Sequence, residues 1–275
     1  MKSKRRMAKI ARWTLMGLFL VFALTPIFWV LTTSFKSTED IYAGAWLPQK
    51  PTLDNFRTVL RNDNMLRYFL NTTIISVATT AISMLVATLG AYGFSRYRFP
   101  GSQSVLGFIL FTRVLPRVTV IIPFYITLRQ LKLINTYPGL ILVYLMVVMP
   151  VTIWMLKGFF DNIPLEIEEA AAIDGCTPFR TLMQVVLPIC LPALAAVGMY
   201  AFILSWNEFL FALIMTNDKS TRTISVGLAF YIDDMGIRWG ELMAASALMS
   251  LPAMVVFSLS QNMLVKGLSA GAVKG

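Results

Sequence analysis

The sequence contains no histidine, and only two cysteines, Cys176 and Cys190, among 275 residues. Without histidine a His-based catalytic triad has no base, and a zinc site would lack its commonest nitrogen ligand. No Gly-x-x-x-x-Gly-Lys-Ser/Thr segment occurs, so the chain does not hold ATP by a P-loop. No convergent set of acid, base and metal ligands is visible, which leaves a membrane enzyme without a seat for its chemistry. Charged residues are only 14% of the total, too few for an ordinary soluble domain. An internal repeat with intramembrane acids in both halves, as an ion-gradient-driven secondary transporter would show, is also missing. That transporter class stays open as the alternative to the reading developed below.

What is abundant is apolar. Hydrophobic residues make up 57%, the mean hydropathy is +0.68, and long apolar runs recur. A run of about twenty residues spans the hydrocarbon core as a helix, and lipid offers no partner to open backbone groups. Six runs qualify: Trp13–Thr33, Tyr68–Gly90, Val105–Leu128, Pro138–Leu156, Ile189–Ile214 and Leu242–Val265. The expected fold class is therefore an all-α membrane protein of six transmembrane helices, one domain over residues 1–275 with no separate soluble part. Lys2, Lys4, Arg5, Arg6, Lys9 and Arg12 precede the first run. That run is too long for a secretory signal and no small-residue cleavage site follows it, so it reads as an uncleaved anchor. The basic cluster belongs in the cytoplasm, and six spans then put the C-terminus, Arg96 and Glu169 there too. In that reducing compartment Cys176 is not expected to form a structural disulfide with Cys190, which stands at a helix start. The net charge of +10 fits membrane orientation and anionic lipid; no basic-aromatic module for nucleic acid is visible.

Between the fourth and fifth runs lies a polar segment, Glu168-Glu169-Ala170-Ala171-Ala172-Ile173-Asp174-Gly175. Pro164 can occupy the first helical position, which needs no N–H. Glu166, Glu168 and Glu169 suit the positive end of the helix dipole. Gly175 can end the helix in a left-handed conformation. Thr177 can cap a second helix opening at Pro178. The expected product is a short acidic, alanine-rich helix, a corner, and a helix returning to the membrane. Small alanines let another protein approach closely, and carboxylates offer contacts to basic groups on it.

Spelled as Glu169-Ala170-Ala171, three residues, Gly175, nine residues, Val185, one residue, Leu187-Pro188, this segment resembles the coupling loop of ATP-binding-cassette (ABC) importer permeases; Val185 stands where Ile is commoner. Gly90-Ala91-Tyr92-Gly93-Phe94-Ser95-Arg96-Tyr97-Arg98-Phe99-Pro100-Gly101 resembles the first cytoplasmic loop of that family. Ser205-Trp206-Asn207-Glu208-Phe209-Leu210 and the ending Gly267–Gly275 are similar to its carbohydrate-uptake, MalG-type branch. The resemblance implies a type I ABC importer transmembrane domain in a bacterial inner membrane. Its coupling loop covers about 157–188, and Glu168, Glu169, Ala170, Ala171, Asp174, Gly175, Leu187 and Pro188 serve the ATPase. It further implies a homologous second permease, two ATPase subunits that bind ATP and Mg, and an extracytoplasmic solute-binding protein facing Thr216–Gly240. The chain itself would carry no cofactor, and the tail 267–275 would reach the ATPase dimer.

Three charged residues, Arg113, Arg117 and Glu208, fall inside apolar runs, and Asn207 stands beside the last. Asn207 and Glu208 lie deep in the fifth, where a carboxylate rarely faces lipid; with Arg113 and Arg117 they are the candidate substrate-pathway residues, Glu208 either lining the pathway or pairing with a basic group. Arg113 and Arg117 are four apart in the third and would share a helix face. A mid-membrane arginine costs about 2.5–3.5 kcal/mol on insertion scales, so that face should meet water, a carboxylate or an anion. Two readings stay open for the arginines: pairing with Glu208 or with an acid on a partner subunit, or contact with an anionic cargo. Pro116 and Pro123 read as kinks accommodated by neighbouring helices.

Overall fold

The computed structural model describes residues 2–234 and 236–272, with side chains for 6, 9–234 and 236–261. The chain is mostly helical. In order come α1 (Lys2–Ser34), α2 (Thr38–Tyr42), α3 (Asp54–Arg61), α4 (Asp63–Arg96), α5 (Ser102–Phe111), α6 (Arg117–Gln130), α7 (Tyr137–Asp161) and α8 (Leu165–Ile173). They are followed by α9 (Pro178–Thr181), a π turn (Leu182–Val186), α10 (Leu187–Ile189), α11 (Leu191–Trp206), α12 (Leu210–Met215), α13 (Ile224–Ala229) and α14 (Trp239–Ala272). The sole departure from all-α among the described residues is a ribbon of β1 (Ile232–Asp233) and β2 (Gly236–Ile237), paired antiparallel.

Four helices are single rods long and apolar enough to cross a membrane: α1 from Lys9, α4, α7, and α14 as far as Gln261. They contain the expected first, second, fourth and sixth runs. The third and fifth runs are not single helices. The third breaks at Thr112–Pro116 into α5 and α6, and the fifth breaks at Asn207–Phe209 between α11 and α12. Proline explains the first break: Pro116 has no N–H for the helix ladder, and its predecessor is pushed out of the helical region. A further bend of 84° separates Pro178–Ile189 from Leu191–Trp206.

The chain forms two compact units, one of Met1–Leu66 with Leu228–Leu251, the other of Arg67–Gly227 with Pro252–Gly275. In the first, α1 is apolar all round from Trp13 onward, and its membrane-length window is bare of protein, as suits lipid contact. Lys36 is buried, with its ammonium 4.3 Å from the Trp29 ring centroid and near the Thr33 hydroxyl. The cation–π contact offsets part of the cost of that burial. Asn55 of α3 donates to the carbonyls of Ser34 and Lys36 and so anchors the chain leaving α1.

In the second unit α7 is the axis. It buries Leu140, Val143, Tyr144 and Val147 near one end, together with Ile121, Leu128, Phe211 and Met215. Near its other end it buries Ile153, Leu156 and Phe160 with Ala87, Ala91, Leu182, Val186 and Val197. Thr136 caps its start by accepting from Gly139 N–H. At that end side-chain hydrogen bonds pin the loop 216–223. Asn71 donates to the carbonyls of Ser220 and Arg222, Tyr137 donates to Asn71, and Asn135 accepts from the amides of Asn217 and Asp218. Bonds from the Ser220 hydroxyl and amide, with one from Asn135, hold the Asp218 carboxyl below its ordinary range.

Candidate coupling surface and intramembrane charged site

The acidic helix forms where the sequence places it. Its first residue is Leu165; Pro164 stands just outside, in extended conformation at the N-cap, rather than at the first helical position. Its end matches the expectation: Gly175 has φ +82°, the Cys176 amide donates to the Ala171 carbonyl at 2.9 Å, and the Gly175 amide donates to Ala172 at 3.0 Å. This pair of bonds is the Schellman arrangement, which satisfies carbonyls the helix leaves open. Thr177 then accepts from the Arg180 amide as the cap of α9.

The two neighbouring glutamates part company. One residue turns a helix by about 100°; Glu168 points inward to an ion pair with Arg96 at 2.6 Å, whereas Glu169 is exposed. Glu168 therefore does not offer its carboxylate outward, contrary to the expectation from sequence. Ala171 is buried, while Ala170, Ala172, Asp174 and Gly175 are exposed. Ile173 is 87% exposed at the corner, and Phe179 is bare beside it. The outer edge of α8 is thus acidic, small-residued and tipped with apolar groups. Leu187 and Pro188 act differently from the surface residues: Leu187 packs into the core around Leu156 and Val186. Pro188 cannot donate to Gln184, and ahead of it the ladder widens to a π turn in which the Leu187 amide reaches the Leu182 carbonyl. Cys176 and Cys190 are both free.

The second site is built from the two interrupted runs. Arg113 lies in the turn after α5, and Arg117 is the first residue of α6, so the expected shared helix face does not exist. The break nonetheless brings both to one cavity of about 320 Å³, lined by Thr112, Arg113, Arg117, Phe124, Met146 and Phe211 among others. Arg113 donates to the Val147 carbonyl at 2.6 Å. Arg117 pairs with Glu208 at 3.0 Å; its side chain keeps 47% of its surface exposed while that of Glu208 is buried. Glu208 also accepts from the Phe211 amide at 3.1 Å, so its carboxylate caps α12. Its carbonyl accepts from Tyr144 and Ser225 hydroxyls. The broken backbone is therefore satisfied by protein, as an interruption would need to be if it lay inside a membrane. Asn207 is exposed and donates back to the Ile203 carbonyl. The kink expected at Pro116 is a full interruption between α5 and α6, and nothing in the sequence marks the break at Asn207–Phe209 or the role of Tyr92.

Residues 80–270 match the family described as "Binding-protein-dependent transport system inner membrane component". The chain belongs to this family. The permease is 34% identical over 253 residues to the diacetylchitobiose uptake system permease protein of Streptomyces coelicolor, covering 91% of each chain. It is 33% identical over 261 residues to the trehalose/maltose transport system permease protein of Thermococcus litoralis, covering 94% of each. It is 32% identical over 269 residues to the sulfoquinovosyl glycerol transport system permease protein of Agrobacterium fabrum, covering 97% of this chain and 94% of the relative. Its fold is that of a chain in a bacterial ABC transporter for import of the acidic polysaccharide alginate, with TM-score 0.81 at 23% identity, covering 94% and 97%. The permease is thus a multi-pass membrane component, and its relatives are transport subunits rather than enzymes. Of the expected ATPase-facing tail, the backbone of 267–272 continues α14, and residues 273–275 lie outside the described residues.

Proposed function

We propose that the permease supplies half of the translocation pathway of an ATP-driven importer for a sugar or sugar derivative, and couples it to the ATPase through α8. The observation that carries this reading is the outer edge of α8: Glu169, Ala170 and Ile173 stand exposed on a helix whose other side is fixed by Glu168 and Ala171. A protein partner covers such an edge, with basic groups for the acids and a cleft for the corner. In this reading the broken third and fifth runs count as spans, making six, with both termini and α8 in the cytoplasm. ATP and Mg sit on two partner ATPase subunits, and a second, homologous permease completes the pathway. The loop Thr216–Gly240 meets the solute-binding protein. The named cargoes of the relatives, diacetylchitobiose, trehalose and maltose among them, support the sugar class. Binding protein and ATP together would favour the outward-open state, because a ligand shifts an equilibrium only by binding its states unequally.

Glu169→Lys puts a cation against the expected basic surface, and Gly175→Val forces a branched side chain to positive φ. In membranes containing the whole transporter, both variants should insert normally yet lose substrate-stimulated ATP hydrolysis and uptake. Wild-type coupling in both would remove the reading. Vanadate-insensitive uptake driven by an ion gradient would instead favour a secondary transporter.

The cavity refines the cargo. Arg117 gives Glu208 one nitrogen, keeps about half its side chain exposed, and lines the cavity together with Arg113. Guanidinium groups meet sulfonate, phosphate or carboxylate with paired bonds, so the cargo in this reading is an anionic sugar derivative. The relative named for sulfoquinovosyl glycerol supports it. Arg117→Gln should cut uptake of the anionic cargo while leaving its affinity for the binding protein unchanged. A binding protein that prefers a neutral sugar would sink this refinement and leave the pairing role.

A further inference from the structure

The inner face of α8 meets α4. Tyr92 and Arg96 are one turn apart and share a face of α4, and both hold Glu168. The Tyr92 hydroxyl donates to Oε2 at 2.7 Å and Arg96 Nε donates to Oε1 at 2.6 Å. The pair is nearly closed to solvent, at 8% and 12% exposure. Arg96 Nη2 reaches the Ile163 carbonyl at 3.2 Å, just ahead of α8, and Nη1 reaches the Ser95 hydroxyl at 2.9 Å. Ser95 in turn donates to Asp161 at 2.7 Å, and Asp161 also accepts from Lys157 of α7 at 2.7 Å. One continuous run of polar contacts therefore joins α8, the end of α4 and the end of α7.

Apolar packing holds α8 weakly. Ala171 is its one buried residue, and a helix this short has little stability of its own. A push on its outer edge would slide it over its neighbours unless something directional fixed it. Charge-assisted bonds to both carboxylate oxygens are directional and strong. We propose that Arg96, with Tyr92, clasps Glu168 so that α8 and α4 move as one, making Arg96 the positioning residue through which displacement of α8 reaches the membrane helices. This rests on α8 being the ATPase-facing helix.

The test uses the whole transporter in proteoliposomes: this permease, its partner permease, the ATPase subunits and the binding protein. The readout is cargo transported per ATP hydrolysed. Arg96→Gln and Glu168→Gln should each lower that ratio at least about fivefold, the low end of ordinary coupling between sites, while the ATPase still co-purifies and still hydrolyses ATP. A merely structural clasp would lower yield, hydrolysis and transport together; an unchanged ratio overturns the proposal. Should either variant fail to insert, Tyr92→Phe decides: it removes one bond to Glu168 and keeps the ring against Phe160. A lowered ratio supports the clasp and an unchanged one overturns it. A covalent tie gives the converse. With Cys176→Ser and Cys190→Ala as background, Tyr92→Cys with Glu168→Cys should be uncoupled until a short bis-maleimide joins them, and then recover. Bridging without recovery overturns the proposal. Glu169→Lys and Gly175→Val, run alongside, separate the two ideas: if both couple normally, α8 is not the ATPase-facing helix and both ideas fall. If they uncouple while Arg96→Gln and Glu168→Gln do not, the clasp alone falls.

Discussion

Gly139 shows how little room single residues have near the start of α7. A Cβ there would lie 2.0 Å from the Leu133 carbonyl oxygen. That oxygen cannot retreat freely, because the Leu133 amide is bonded to Leu128 and its carbonyl accepts from Thr136. Gly139→Ala should therefore destabilise the permease by about 2–3 kcal/mol, the upper part of the range for overpacking. Gly158 is the control, because a Cβ added there would meet nothing within 4 Å. Gly158→Ala should be neutral or gain up to about 1 kcal/mol from helix propensity. Thermal unfolding of the purified protein in detergent measures both. The sequence did not reveal this constraint, since a glycine beside Pro138 reads as an ordinary helix start. Glu168 and Glu169 teach the same lesson. Their spacing to Gly175 identified the loop, but adjacent residues point about 100° apart, and only the packing against Tyr92 and Arg96 says which one faces in.

Hydropathy located the elements well where the backbone runs unbroken, and less well where it does not. The runs contained in α1, α4, α7 and α14 were legible because twenty apolar residues in lipid have no alternative to a helix. The interruption at Asn207–Phe209 was not, and at Thr112–Pro116 the proline showed only a kink, because apolar composition reports depth and says nothing about continuity. Once Tyr144, Ser225 and Glu208 satisfy the freed groups, a break costs little, and no sequence window contains all three. The two partners of the Arg117–Glu208 pair should then differ in weight. Glu208 is buried and caps α12, so Glu208→Ala leaves the Phe211 amide without its acceptor, at about 1–3 kcal/mol. Arg117 is itself half exposed, but its loss leaves the buried Glu208 carboxylate without a countercharge, so Arg117→Ala should cost more, about 3 kcal/mol or above. Unfolding midpoints of the two variants test this order; a smaller loss in Arg117→Ala would mean that the cap, and not the ion pair, holds the break.

On the scale of the whole molecule, the surface itself argues for the membrane. Phe19, Phe22, Val114, Val118, Ile122 and Leu259 are each more than half exposed, and patches of this kind on a soluble protein would drive aggregation. Orientation follows from charge rather than from shape. The basic residues before Trp13 outnumber any acids there, since none occurs in the first twelve positions. The loop between the first and second runs carries Lys36, Lys50, Arg57, Arg61 and Arg67 but also Glu39, Asp40, Asp54 and Asp63, and loops of that length constrain insertion weakly. Both termini should therefore be cytoplasmic and Lys219 should face the other side. In a Cys176→Ser and Cys190→Ala background, Lys4→Cys and Lys274→Cys should resist an impermeant thiol reagent in intact cells and react once the membrane is opened. Lys219→Cys, in the exposed loop pinned by Asn71 and Asn135, should react in intact cells. Labelling of Lys4→Cys alone would mean that the first run does not anchor as assigned. Labelling of both termini with protection of Lys219→Cys would invert the protein, place α8 outside the cell, and leave its acidic edge without an ATPase to meet.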